Sequence, residues 1–224
     1  MAKPKCVPLK VTCDLRDGTF ASADGIIMLD AILYHAWFMR HMPGVLEGTI
    51  DPPTTLRVGL PLRQEPHNTW AASAGQYNQI AITQVYIHKR PDFFNPDYTD
   101  NLALDKGIIS DSVGQYRAWS IPLLVRTIDG PITFYAVGHA DEVQGLLDLI
   151  PSIGKKGAAG YGAVRKWTVE EIEEDYSMLK NGVLMRPVPL ADASEILSPR
   201  VQMYGYKPPY WKPCNQALCY VPTP

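Results

Sequence analysis

Between Ile153 and Trp167 the chain reads Ile-Gly-Lys-Lys-Gly-Ala-Ala-Gly-Tyr-Gly-Ala-Val-Arg-Lys-Trp, with Gly154, Gly157, Gly160 and Gly162 and no acid. Side chains this small cannot fill a core. Glycine reaches φ > 0 and carries no Cβ, so such a run can bring backbone N–H groups close to a ligand. Lys155, Lys156, Arg165 and Lys166 stand beside those amides. They make the expected ligand an anion, and a phosphate chain suits the mix best. The other reading is a glycine-rich turn whose lysines are merely solvated.

The usual phosphate loops do not fit. A dinucleotide fingerprint or a Walker loop runs from strand to helix, so that phosphates sit on a helix N-terminus. Here a helical pattern, Asp141 to Ile150, precedes the glycines and a strand pattern, Ala163 to Val169, follows them. Hydrolase and zinc-protease motifs are missing, and His35, His41, His67, His88 and His139 are scattered. A metal-independent ribonuclease could draw on His35 or His88 with Tyr161 and Lys155, though no spacing demands it. Cys6 and Cys13 lie in an apolar strand pattern and read as small core residues. Cys214 and Cys219 leave open a terminal clip or a metal site shared with another chain. Neither pair has zinc-knuckle spacing, and neither a metal nor a cofactor is expected.

The elements that must hold this loop belong to a chain of 224 residues, 46% hydrophobic and 20% charged, with a net charge of −2. That composition is globular, and no apolar run approaches the roughly 20 residues of a membrane span. No secretory signal is visible, so a cytoplasmic location is expected. The charge is segregated: Glu170, Glu171, Glu173, Glu174 and Asp175 follow directly on the basic loop. A basic face can therefore coexist with an acidic total.

Alternating Val7, Leu9, Val11 and Cys13 predict a first strand over Lys5–Leu15, and Arg16–Ala23 a turn-rich link. Asp24 is the expected cap of a helix reaching His41, with Ile26, Leu29, Leu33, Ala36 and Trp37 on one face. Asp30 within it reads as a solvated or locally bonded carboxylate. Strands are expected at 56–62, 69–74 and 80–88. A long loop follows from Lys89 to Asp111, where Phe93 and Phe94 form either a minor buried cluster or an exposed wedge. Asp129-Gly130 predicts the turn of a hairpin between Tyr116–Thr127 and Pro131–Val137. Val143, Leu146, Leu147 and Ile150 mark a second amphipathic helix. Asn181-Gly182 predicts another turn before a strand at Val183–Val188. The last 35 residues, rich in Pro and Tyr, suggest an extended arm. This order fits an α+β fold, a ferredoxin-like (RRM-like) split βαβ unit with an insertion.

Ile153-Gly154, five residues, then Gly160-Tyr161-Gly162 is similar to the hydrophobic-Gly-x5-Gly-hydrophobic-Gly loop of the RAMP superfamily of CRISPR-associated proteins. There it joins the last helix and last strand of a ferredoxin-like fold. Leu29-Asp30-Ala31-Ile32-Leu33, Val183-Leu184-Met185-Arg186-Pro187 and the tail Lys207-Pro208-Pro209-Tyr210-Trp211 extend the likeness. Together they resemble the small handle-capping subunit of type IV CRISPR effector complexes, the counterpart of the Cas-five subunit of type I.

The resemblance implies a RAMP domain over 1–182 with a thumb inserted at 80–111, and a C-terminal strand and arm over 183–224. It also implies a non-catalytic subunit that grips the 5′ handle of the guide crRNA and starts the filament of backbone (Cas-seven-like) subunits. Beside the large subunit, it would help engage target DNA near the flanking motif. RNA contacts are expected from the loop residues Gly154, Lys155, Lys156, Gly157, Gly160, Tyr161 and Gly162, and from Arg165 and Lys166. Tyr116 and Arg117 are second candidates for the same groove, and Lys89, Arg90, Phe93 and Phe94 belong to the thumb. Ala158 and Ala159 replace residues often polar in relatives, which shifts weight to the four cations. A subunit that also cleaves precursor crRNA is the alternative.

Overall fold

The strand alternation seen in the sequence builds the centre of the molecule. In a computed structural model, which describes residues 5–51, 58–66, 69–89, 117–195 and 197–223, β1 spans Val7–Leu15. Its Leu9, Val11, Cys13 and Leu15 are buried on one face. A short β2 (Thr19–Ala21) lies in what the sequence suggested was only a link. Helix α1 (Leu29–His41) and the single turn α2 (Pro43–Leu46) follow, then β3 (Gln64–Glu65), β4 (Thr69–Trp70) and β5 (Gln76–Lys89). A strand of 20 residues, β6 (Trp119–Gly138), leads to helix α3 (Ala140–Leu147), the glycine loop and β7 (Val164–Glu171).

The main sheet is antiparallel and curled. β1 lies between β6 and β7, β2 continues β1's side of β6, and β5 takes the opposite edge. Leu9, Val11 and Cys13 face Ala136, Phe134 and Ile132 in register. Those side chains, with Val164 and Trp167, bury against Leu29, Leu33 and Ala36 of α1 and Val143, Leu146 and Leu147 of α3. Each fully buried Leu or Phe in this layer contributes about 1.5–3 kcal/mol. The core thus holds the strand before the loop, the helix before it and the strand after it.

Several sequence expectations fail here for identifiable reasons. Asp24 does not cap α1, whose N-cap is Met28. Its carboxylate instead accepts the Ile26 amide at 3.1 Å and the Tyr204 hydroxyl at 2.6 Å. Asp129-Gly130 does not reverse the chain. It lies inside β6, where Asn78 faces Asp129 but Gln76 faces Thr133, so extra β6 residues bulge out. Partners distant in sequence, β5 and β1, hold both flanks in one direction and override the local turn signal. The true hairpin joins β5 to β6, and its connection lies outside the described residues. The Asn181-Gly182 turn does form, between β8 (Leu179–Lys180) and β9 (Val183–Leu184). Of the strands expected at 56–62 and 69–74, the described residues show Thr69–Trp70 and isolated bridges at Leu62, Ala72 and Ala74.

The C-terminal segment is not a draped arm. β10 (Val188–Pro189), β11 (Val201–Gly205) and β12 (Gln216–Tyr220) form a three-stranded sheet in the order β10-β12-β11. Cys219 and Val221 pack on Ile26, Met28 and Ala74. Asp30, read from the sequence as a solvated or locally bonded carboxylate, is wholly buried and pairs with the distant, buried Arg186 at 3.5 Å. The Tyr210 hydroxyl donates to Asp30 at 2.6 Å, and Arg186 also donates to the carbonyls of Trp70, Ala72 (3.1 Å) and Tyr206 (2.8 Å). Burial pushes the Asp30 carboxyl up, and the Arg186 guanidinium partly offsets it. This network clamps the C-terminal sheet to α1.

Candidate nucleic-acid interface

The loop leaves α3 through buried Ile153 and returns to β7 as a tight, self-bonded bend. The Ile153 amide donates to Gly162 O at 2.9 Å, Lys155 N to Ala21 O at 2.8 Å and Gly162 N to Thr19 O at 2.9 Å. A Cβ on Gly162 would stand 2.0 Å from Ile153 O, and one on Gly154 would stand 2.5 Å from Ala21 O. Both glycines also have positive φ. Only glycine allows the loop to lie flush on β2 and on its own base.

This corrects the reason given for the glycines. They admit the protein's own backbone, and the amides of Ile153, Lys155, Ala159, Gly160 and Gly162 bond internally. Gly157 faces Ser152, while Gly160 alone of the four opens onto clear space. What the bend offers outward is charge. Lys155 and Lys156 are exposed at its crest, with Lys156 itself in the left-handed region.

Arg165 and Lys166 stand one step further on. Arg165 is exposed, pairs with Asp14 at 3.3 Å and donates to Arg16 O at 3.0 Å, so its charge is partly engaged. Lys166 is exposed and lies opposite Asp14 in the β1–β7 register, beside a bulge at Asp14/Leu15. Two open clefts of about 610 and 430 Å³ are both lined by Arg16, Arg165, Lys166 and Thr168. Arg16 was missed from sequence because nothing local separates it from any other turn arginine.

On its other flank the loop borders a cleft of about 580 Å³ lined by Ser22, Asp24, His35, Gly154 and Lys155 over an apolar floor. The structure thus brings His35 and Lys155 to one cavity. His88 sits instead on the β5–β6 ribbon, stacked on Tyr86. Among the described residues no group of three His, Cys, Asp or Glu side chains is placed to hold a metal ion. All four cysteines are free thiols.

Tyr161 is half-buried and packs back on Leu123 and Val125, with Val85 and Ile87 in the same cluster. The loop therefore packs on the β5–β6 ribbon itself. Elsewhere on its faces the ribbon leaves Ile80, Ile82, Tyr86 and Ile121 exposed. Lys89 is its last described residue on β5, and Arg117 is exposed just before β6. Arg90, Phe93, Phe94 and Tyr116 lie outside the described residues, so their expected roles have no structural counterpart here.

A family model described as CRISPR type IV associated protein Csf3 matches residues 7–222. The chain belongs to that family. No curated protein matches the sequence. Membership makes this Csf3-family protein a component of a type IV CRISPR system, and the basic loop, the ribbon and the C-terminal sheet all fall within the matched span. Among its described residues no helix is long and apolar enough to cross a membrane.

Proposed function

We propose that this protein is a non-catalytic RNA-binding scaffold subunit of a type IV CRISPR ribonucleoprotein. It grips the 5′ handle of the guide crRNA, starts the row of backbone subunits and, with the large subunit, helps engage target DNA at the flanking motif. The observation that carries the reading is the loop's position: Lys155 and Lys156 are exposed on a bend seated on the sheet and packed, through Tyr161, on the long β5–β6 ribbon. Such a bend holds a phosphate backbone by charge while the ribbon reaches a neighbouring subunit. The strand order β7-β1-β6-β5, antiparallel with α1 and α3 on one face, supports a ferredoxin-like RAMP architecture.

The test is guide-RNA affinity across a salt series for the double variant Lys155→Ala/Lys156→Ala. Removing two phosphate contacts flattens the dependence of log K on log salt by about 1.4 for a single strand. Unchanged affinity and slope would overturn the reading. A second reading, cleavage of precursor crRNA without metal, draws on the shared cleft of His35 and Lys155. Defined cleavage at the repeat in EDTA, abolished by His35→Ala, would favour it.

A further inference from the structure

The C-terminal sheet carries a second feature that the glycine loop does not account for. After Glu195 the sequence has no acidic residue, yet it retains Arg200, Lys207 and Lys212 in a chain of net charge −2. Among the described residues Trp211 is the most exposed large apolar side chain, at 74%. The Lys212 ammonium stands 6.0 Å from its ring centre, and the Lys207 ammonium stands 5.1 Å from that of Tyr206. Aromatic and lysine thus alternate twice within seven residues, Tyr206-Lys207 and Trp211-Lys212.

This loop is held in place. Tyr210, the residue before Trp211, is bonded to buried Asp30, and Arg186 bonds the Tyr206 carbonyl. Asn215 Nδ2 donates to Pro209 O at 3.1 Å, and the Lys212 amide donates to the same carbonyl at 3.1 Å. Gln216 Nε2 reaches Tyr210 O at 3.3 Å. An anchored backbone therefore displays an exposed indole with the Lys212 ammonium near its ring, and Lys207 four positions earlier in the same loop. Stacking a base on an aromatic ring while lysines meet the flanking phosphates is how unpaired strands are held without sequence readout.

We propose that Trp211, with Lys207 and Lys212, is a second nucleic-acid contact that stacks a base of an unpaired RNA or DNA strand. It stands independently of the glycine-loop reading. The alternating aromatic and lysine pattern, free of acids, suits nucleotides better than it suits an apolar protein partner.

The test uses the full chain, with fluorescence anisotropy of labelled oligo(U) and oligo(dT) and circular dichroism to verify folding. Trp211→Ala is expected to weaken at least one strand by about fivefold or more, while Trp211→Phe stays within about twofold of wild type. Lys207→Ala/Lys212→Ala flattens the salt dependence. The strand that responds identifies the source as RNA or DNA. Equal binding of both strands by wild type and folded Trp211→Ala overturns the proposal. So does loss of a co-purifying protein subunit with strand affinity unchanged, which would make the patch a protein dock. Lys155→Ala/Lys156→Ala run in parallel separates the two sites: each proposal fails on its own variant.

Discussion

The glycine loop and the C-terminal sheet are both fastened to the body of the protein, by opposite means. The loop is seated by omission: Gly154 and Gly162 lack the Cβ atoms that would strike Ala21 O and Ile153 O. The sheet is seated by addition, through a buried arginine–aspartate pair to which a partly buried tyrosine donates. The first device leaves charged crests free in water. The second removes charge from water and so depends on every partner staying in place. Each holds a cationic surface steady, and the two should fail differently.

The largest expected effect is on the clamp. Arg186→Met leaves the Asp30 carboxylate buried without its counter-charge, and a loss of about 3–5 kcal/mol in unfolding free energy is expected from denaturant titration. A loss below about 1 kcal/mol would mean that water or rearrangement replaces the guanidinium, and the contrast would collapse. Next comes the loop. Gly162→Ala combines a backbone clash with a positive φ, whereas Gly160→Ala has the φ but open space. Thermal unfolding should show Gly162→Ala costing about 1–3 kcal/mol and Gly160→Ala clearly less. Equal costs would show that conformation alone, rather than close approach, dictates the glycines.

A smaller effect compares the two regions through their buried thiols. Burial pushes Cys13 in the main core up to about 12 and Cys219 in the C-terminal sheet up to about 11. An ordinary thiol near 8.5 ionises first in the unfolded chain. The stabilisation is therefore complete below about pH 8.5 and is lost as pH rises toward those raised values. Stability measured from pH 8 to 11 should fall less steeply in Cys13→Ala and in Cys219→Ala than in wild type. Parallel slopes in all three proteins would mean the thiols ionise freely in place.

What was legible in the sequence was local. The alternation of Val7, Leu9, Val11 and Cys13, the stripe of Val143, Leu146 and Leu147, and the Asn181-Gly182 turn each have their cause within a few residues. Asp30 was misread because its partners lie 156 and 180 positions away, where no helical periodicity points. Asp24 looked like a cap for the same reason, its Tyr204 partner being invisible from nearby sequence. The proline and tyrosine of the tail suggested extended backbone, which holds for Tyr204 and Tyr220 in strands. Pro208, Pro209 and Pro213 lie instead in bends and a tight helical turn, and none of these residues carried anything about strand pairing. For the candidate site, the charges were readable and the purpose of the glycines was not, because a missing Cβ looks the same whether a phosphate or a carbonyl fills the space.

The bulge between Asp129 and Thr133 has a consequence for the ribbon. One unbroken strand serves as rafter to the core on one side and as half of the projecting finger on the other. Without a linker there to swivel on, the finger's heading is inherited from the buried layer, and the surplus residues act as the wedge that sets its tilt. The distance and angle between the basic crest and whatever the finger meets are thus decided in the interior of the molecule.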